Sequence, residues 1–320
     1  MPQAEIDRLM QRYDGNVPGA SLLVIKDGHE VVRRGYGRSD LEAGVEAGPG
    51  TDYRLASVSK QFTAAAILLL AEDGKLSVDD PARKWLPELP AAADAITLRH
   101  LLTHTSGLVD YEDLMGDDWQ GQIRDAGVLA LLSLVVERAS GMAYPDFLQA
   151  RIFGPLGMRD TLAYVAGGPE PPHRAWGYTQ ADAGASKEGA WARTDQSTTS
   201  AVLGDGGIYS SIDDLALWDA ALYDDRLLGD ASRKLAFSPQ VEVTGEPYEA
   251  QYGFGWRITG ETLWHSGETV GFCNVIVRWP ARRLTVVLLS NRNEPEPYRT
   301  ALAIGALFMA PPAQGTATRP

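Results

Sequence analysis

Cysteine is almost absent from this chain of 320 residues, which contains Cys273 alone. A single cysteine cannot form a disulfide within the chain, so the fold does not depend on an oxidising compartment. Cys273 stands in an apolar run typical of a strand. This position favours a buried packing role over thiol chemistry.

Basic charge is also scarce, because 29 Lys and Arg face 42 Asp and Glu and leave a net charge of −13. No basic stripe or charge run interrupts this balance. A chain of this kind is not expected to bind nucleic acid or an anionic membrane, since both attract positive surfaces.

Long apolar runs are missing as well. No run approaches the roughly 18 to 20 residues that a transmembrane helix needs. Residues 1–7 lack a basic segment followed by an apolar one, which predicts that there is no signal peptide. We therefore expect a cytoplasmic protein, or a periplasmic or secreted one if a leader has been removed.

The residues that are present predict a globular fold with strands at both ends. The β-rich runs 20–26 and 30–36 are joined through Asp27-Gly28, a strong hairpin signal. Strand patterns return from Gln251 onward, and the middle of the chain is mostly helical, with a long loop expected over 166–192. The order predicts an α/β (α+β) protein whose antiparallel sheet is formed by both termini, flanked by helices, with an inserted mainly helical domain.

The most informative short motif is Ser57-Val58-Ser59-Lys60, at the start of an apolar helix that should end at Gly74. Residues three apart share a helical face, so Lys60 can join a proton network with Ser57 and favour its alkoxide. The partial positive charge of the helix N-terminus acts in the same direction. The motif is short, and a capping serine beside a solvated lysine is the alternative interpretation.

Two other patterns say less about function. His100 and His104 have the spacing of metal ligands on a helix, but no Glu follows His100 and no third ligand is near, so we expect a structural role and no metal or cofactor. The run Gly204–Gly207 lacks the Lys of a phosphate-binding loop. We expect its backbone to approach a cleft closely.

Four segments together resemble one family, and the resemblance extends from about residue 17 to about residue 308. The segments are Ser57–Lys60 (SVSK), 101–108 (LLTHTSGL), 204–211 (GDGGIYSS) and 264–272 (WHSGETVGF). In order and spacing they are similar to the serine β-lactamase-related family. Its members include class C β-lactamases, D-Ala-D-Ala carboxypeptidase-type penicillin-binding proteins, D-aminopeptidases and esterases.

The resemblance implies a β-lactamase/transpeptidase-like fold. It implies a sheet domain from residues 1–56 and 195–320, a mainly helical domain from residues 57–194, and an active site at their junction. Ser57 is then the nucleophile of an acyl-enzyme and Lys60 its proton partner. The backbone N–H groups of Ser57 and Glu268 form the oxyanion hole.

The triplet His265-Ser266-Gly267 is expected on an edge strand beside the nucleophile, where it lines the substrate. Many relatives carry Lys in place of His265, and this Lys helps to bind a substrate carboxylate. A neutral imidazole binds a carboxylate poorly, so we expect small esters, amides or peptides as substrates rather than β-lactams. The alternative is that His265 is a cross-strand packing residue.

One family element is not found. Relatives place a Tyr-x-Asn or Tyr-x-Ser element after the Thr-His-Thr-Ser-Gly segment, and its Tyr acts as general base with the Lys. Only Tyr111 stands in this interval, and it follows Gly107 closely. We interpret this as a deletion that removed the base, with Tyr111 as a possible substitute. Two functions stay open: a serine hydrolase, with or without impaired turnover, and a catalytically inactive binding or scaffold protein.

Overall fold

The fold is organised around one large antiparallel sheet. The computed structural model describes residues 2–108, 130–165, 167–180, 191–195, 202–243 and 249–309. Its strands are β1 (Ala20–Lys26), β2 (His29–Tyr36), β3 (Arg38–Asp40), β4 (Val45–Glu46), β5 (Tyr53–Arg54), β6 (Leu162–Ala163), β7 (Tyr178–Gln180), β8 (Trp191–Arg193), β9 (Ile208–Ser210), β10 (Val241–Val243), β11 (Ala250–Tyr252), β12 (Arg257–Thr259), β13 (Thr262–Thr269), β14 (Phe272–Trp279) and β15 (Leu284–Ser290). Eight of them form the large sheet, in the order β10, β11, β12, β13, β14, β15, β1, β2.

The two ends of the chain meet inside this sheet. Strand β1 pairs with β15 from Ala20 opposite Ser290 to Lys26 opposite Leu284. The β1–β2 hairpin turns at Asp27 (φ 53°) and Gly28 (φ 82°), and two left-handed residues are what a tight hairpin turn requires. The predicted fold class, with a sheet built from both termini, is confirmed.

Helices cover both faces of the sheet. They are α1 (Gln3–Met10), α2 (Lys60–Glu72), α3 (Ala82–Trp85), α4 (Leu98–Leu102), α5 (Ala130–Ser140), α6 (Tyr144–Leu148), α7 (Gly154–Leu156), α8 (Leu203–Gly206), α9 (Ile212–Ala221), α10 (Asp230–Ala236) and α11 (Tyr298–Leu307). Among the described helices, none is long and apolar enough to cross a membrane.

Alternation along the strands explains why both faces are covered. In β1, Leu22 and Val24 face a core shared with α1 and α11, whereas Leu23 and Ile25 face a larger core around α2. Successive side chains of a strand point to opposite faces, so a strand with apolar side chains on both faces needs cover on both. The sheet is therefore the middle layer of the molecule.

Helix α2 is the centre of the larger core. Every residue from Lys60 to Leu70 is buried. The helix ends at Gly74 (φ 66°), where the N–H of Lys75 donates to the Leu70 carbonyl at 2.9 Å, as in a Schellman cap. The predicted buried helix and its glycine cap are confirmed.

The long loop expected over 166–192 is partly wrong. Strands β7 and β8 form a short hairpin there, with Tyr178 opposite Arg193. The hairpin is held by distant groups: Tyr178 N–H donates to the Asn291 carbonyl at 3.0 Å, and the Thr179 hydroxyl donates to the Asn293 amide oxygen at 2.6 Å. Strands of three residues held in this way carry little sequence pattern. The division into domains at residues 56/57 and 194/195 stays a prediction.

Candidate active site

Ser57 and Lys60 lie in direct contact where the chain enters α2. Ser57 is part of the tight turn Ala56–Ser59, and the Lys60 Nζ donates to its Oγ at 2.6 Å. Lys60 is only 7% exposed, so its charge needs partners inside the protein. Ala56, just before Ser57, has a left-handed backbone (φ 49°), which is strained for a residue with a Cβ.

The second partner of Lys60 is Asp205, which sequence analysis missed. The Asp205 carboxylate forms an ion pair with the Lys60 ammonium, and its backbone carbonyl lies 3.5 Å from the same Nζ. Lys60 thus connects the Ser57 hydroxyl to a carboxylate. The available signal is an acidic residue between the glycines of a segment shared with the family, and this signal alone does not indicate a contact with Lys60.

The segment that carries Asp205 is fixed against the Ser57 turn. The Thr63 hydroxyl donates to the Gly204 carbonyl at 2.7 Å, and the Arg54 Nε donates to the Gly206 carbonyl at 3.4 Å. A Cβ on Gly206 would lie 3.4 Å from the Ala56 Cα. The backbone of this segment thus lies close to the Ser57 turn, and this position brings the Asp205 carboxylate to Lys60.

Strand β13 lies against the other side of the Ser57 turn. A Cβ on Gly267 would lie 2.1 Å from the Leu55 carbonyl oxygen and 3.0 Å from the Ser57 nitrogen, so no other residue fits there without a shift of backbone. Opposite Gly267, the Asn274 amide donates to the Arg54 carbonyl at 2.8 Å and its oxygen accepts from the Ser290 N–H at 3.1 Å. Asn274, also missed from the sequence, therefore ties the turn to the sheet.

The expected edge strand is wrong for β13 as a whole, because β12 and β14 flank it. In the described ladder, however, β12 pairs only with Thr262–Trp264, whereas β14 pairs as far as Thr269. Strand β12 is too short to follow β13 to its end. The part of β13 that faces the cleft, from His265 to Glu268, is thus flanked by β14 alone among the paired strands.

His265 is buried between two hydrogen-bond partners. Its Nδ1 lies 2.6 Å from the Ser266 carbonyl, to which it donates, and its Nε2 lies 3.0 Å from the Tyr252 hydroxyl, from which it accepts. Burial, followed by the positive charge of Lys60, lowers the pKa of His265 well below its ordinary value. His265 is therefore a neutral imidazole with both nitrogens occupied.

His104 stands at the rim of the same cleft in a left-handed conformation (φ 58°). The residue is exposed, and its ring packs edge-on against Tyr252, with 5.3 Å between centroids. Desolvation of the imidazole and then the charge of Lys60 lower its pKa to about 4. His100 serves another purpose, since its Nδ1 accepts from the Thr97 N–H at 3.2 Å and closes the capping box of α4.

Ser57, Lys60, His104, Tyr252 and His265 line a cleft of about 430 Å³, together with Arg257, Ser266 and Glu268. The Arg257 guanidinium carbon lies 5.4 Å from the Trp264 ring centroid. Within the described part of the chain, its buried Nε has no hydrogen-bond partner. Tyr111 and the interval in which the family's Tyr element is sought lie outside the described residues.

Cys273 lies opposite Glu268 on β14 and is buried. Burial raises the pKa of its thiol, which disfavours the reactive thiolate. The predicted packing position of Cys273 is confirmed.

Comparison with known proteins identifies the same relatives along almost the whole chain. The family profile described as "Beta-lactamase" matches residues 4–308. Penicillin-binding protein 4* of Bacillus subtilis is 31% identical over 322 residues, which cover 88% of this chain and 70% of that protein.

Solved structures agree in fold. The octameric penicillin-binding protein homologue from Pyrococcus abyssi superposes with a TM-score of 0.83 at 26% identity, covering 98% of this chain and 79% of that one. The D-amino acid amidase from Ochrobactrum anthropi SV3 gives a TM-score of 0.81 at 23% identity, covering 96% of this chain and 100% of that one. With a serine and a lysine in contact at the start of the central helix, this chain belongs to the beta-lactamase family of serine hydrolases and is penicillin-binding-protein-like.

Proposed function

We propose that this protein hydrolyses small esters or amides through an acyl-enzyme on Ser57. The observation that carries the proposal is the 2.6 Å contact between the Ser57 Oγ and the Lys60 Nζ inside the cleft. An amine at this distance can take the hydroxyl proton as Oγ bonds to a carbonyl carbon, and can return it to the leaving group.

The surrounding backbone is suited to charge on the carbonyl oxygen. We assign the oxyanion hole to the N–H groups of Ser57 and Glu268, because Gly267 packs directly on the Ser57 amide and Glu268 follows it along β13. Two such donors stabilise the tetrahedral intermediate, and the loss of one typically costs about 10²- to 10³-fold in rate. Ser266 and Gly267 would then lie along the substrate backbone.

The neutral state of His265 supports esters and amides over β-lactams. A charged group at this position attracts a carboxylate next to the scissile bond, whereas this imidazole already spends both nitrogens on Tyr252 and Ser266. Arg257, on the neighbouring strand, is then the group that can bind a carboxylate of the substrate. We therefore expect turnover of neutral activated esters, with an anionic group tolerated near Arg257.

The test is intact mass after incubation with a fluorophosphonate and with an activated ester. We expect a Ser57-dependent mass increase within minutes on the wild type, no adduct on Ser57→Ala, and full labelling of Ser77→Ala. Ser77 is a suitable control because it is exposed and lies outside the cleft. Labelling that persists in Ser57→Ala would refute the assignment of the nucleophile.

A second function stays open because sequence analysis does not find the Tyr element of the family. A catalytically silent binding or scaffold protein would keep the cleft without turnover, since the loss of general-base assistance costs about 10²- to 10⁴-fold. A folded wild type that forms no adduct after hours would support this function over the hydrolase.

A further inference from the structure

The Lys60 ammonium lies between a hydroxyl and a carboxylate, and this raises the question of which group receives its proton. It donates to the Ser57 Oγ and is ion-paired with the Asp205 carboxylate. An ammonium has no lone pair and cannot accept the serine proton. If Ser57 is to be activated through Lys60, the amine must first release a proton, and a carboxylate in contact with it can accept one.

We infer that Asp205 is the proton-accepting and positioning residue of a Ser57–Lys60–Asp205 relay. The inference rests on the proposed function, because it concerns how the same serine is activated. Asp205 acts through Lys60 and does not itself touch the substrate.

Each step of the relay balances. One proton moves from the Lys60 Nζ to the Asp205 carboxylate, which leaves an uncharged amine and a carboxylic acid. The amine takes the Ser57 hydroxyl proton as Oγ bonds to the carbonyl carbon. When the bond to the leaving group breaks, Lys60 gives that group a proton and recovers one from Asp205. The pair returns to its starting charges, and no proton is gained or lost.

The fold holds Asp205 in place for this role. Its neighbours Gly204 and Gly206 accept hydrogen bonds from Thr63 and Arg54, which flank the Ser57 turn on both sides in sequence. Lys60 is 7% exposed and the Asp205 side chain 28% exposed, so the pair is partly shielded from water. Shielding from water destabilises the ion pair relative to the uncharged pair, because both charged groups lose hydration.

Other titratable and charged groups line the cleft beside the pair. They are His104 after α4, Tyr252 on β11, Arg257 on β12, His265 and Glu268 on β13, and Glu296 before α11. Burial holds both imidazoles neutral near pH 7 and raises the pKa of Tyr252. The two imidazoles and Tyr252 therefore keep their charge in the neutral range, where the test below is read.

The test is the pH dependence of Ser57 acylation by an activated ester, measured by stopped-flow and confirmed by intact mass. A relay that ends on a carboxylate fails only when that carboxylate is protonated, whereas a lone amine fails whenever it carries its proton. Ordinary carboxylic acids and amines differ by about six pKa units. For Asp205→Asn we expect the acid-side midpoint to move to higher pH by at least about two units, with acylation at neutral pH slower by about 10²-fold.

Matched variants separate chemistry from structure. Asp205→Glu keeps a carboxylate and should keep a midpoint near that of the wild type. Asp225→Asn makes the same substitution at an exposed ion pair and should change nothing, since its side chain is 73% exposed. Thermal melting shows whether each variant folds. If Asp205→Asn does not fold, Asp205→Ser carries the same expectation.

The opposite shift would overturn the relay. If Asp205 only holds Lys60 in its charged state, its removal frees the amine, and the midpoint moves to lower pH or stays unchanged. Such a result, with Ser57 still labelled in the wild type, refutes the inference and leaves the proposed function standing. If Ser57 is never labelled, both are refuted.

Discussion

The tightest contact of the site is between β13 and the Ser57 turn, and Gly267→Ala tests it directly. The new Cβ would lie 2.1 Å from the Leu55 carbonyl oxygen, more than 1 Å short of the 3.4 Å at which ordinary contact begins. Both sides of the contact are backbone, so neither can rotate away. The turn and the strand must separate by about 1 Å, and overpacking of this kind costs roughly 1 to 3 kcal/mol of stability.

Gly267→Ala should affect the rate of acylation more than the stability of the fold. The same movement carries the Ser57 amide, 3.0 Å from the added Cβ, away from the amide of Glu268. A misplacement of about 1 Å typically costs about 10²-fold in rate. We therefore expect Gly267→Ala to be acylated by an activated ester about 10²-fold more slowly, while its denaturation midpoint shows that it remains folded.

The control is Gly50→Ala, because a Cβ at Gly50 would meet nothing within 4 Å and its backbone is not left-handed. This variant should be acylated at the wild-type rate and should be as stable as the wild type or more so by up to about 1 kcal/mol. The reasoning is refuted if Gly267→Ala is folded and is acylated as fast as Gly50→Ala. In that case, the contact between β13 and the turn does not position the reacting groups.

Three further predictions concern charged and titratable side chains. Arg257→Gln should raise KM for an ester that carries a carboxylate by about tenfold, the order expected when a charge-assisted contact is lost, and leave KM for its neutral analogue unchanged in steady-state assays. Asp219→Asn should lower the free energy of unfolding by about 3 to 5 kcal/mol in guanidinium titrations, because it breaks the buried pair with Arg278 at 2.6 Å; an equally stable variant would contradict this. The folded state depresses the pKa of His265, so the unfolded chain binds a proton at this residue that the folded chain does not. The wild type should therefore lose stability relative to His265→Gln as the pH falls below about 6.5. The loss should be at most about 1.4 kcal/mol per pH unit. A constant difference in unfolding free energy between about pH 7 and about pH 5 would show that His265 is not held neutral.

Local patterns made much of the fold predictable. The β1–β2 hairpin depends on two residues at one turn, Asp27 and Gly28, and α2 depends on an apolar run closed by Gly74. Each of these signals lies within a few residues of the structure that it specifies. The fold class followed because such signals are frequent at both ends of the chain.

The pairing of short strands was not predictable for the opposite reason. Strands β7 and β8 have three residues each and exist through hydrogen bonds to Asn291 and Asn293, more than a hundred positions away. The position of β13 inside the sheet depends on β12, whose pairing with it stops at Trp264. Neither fact leaves a periodic trace in the sequence.

The candidate active site also combines contacts that are local in sequence with contacts that are distant. Helical spacing brings Lys60 to Ser57, three residues away, whereas Asp205 reaches Lys60 across 145 positions and Asn274 reaches Arg54 across 220. A resemblance to a family identifies the residues that its motifs name. It did not identify Asp205 in its glycine-rich segment, because no local pattern indicates which charged side chain Asp205 contacts.

The ion pair of Lys60 and Asp205 can have two roles, as a proton relay or as a fixed pair of charges. Lys60 and Arg257 both lie near the two imidazoles, and their positive charges help to keep His104 and His265 neutral. Contact, and not proton affinity, identifies the group that can take the Lys60 proton, because both nitrogens of His265 are already engaged by Tyr252 and Ser266. Among the described groups, the Asp205 carboxylate is in direct contact with the Lys60 ammonium. If Ser57 is activated through Lys60, the proton must therefore pass to Asp205, and the direction in which the pH profile moves in Asp205→Asn decides whether it does.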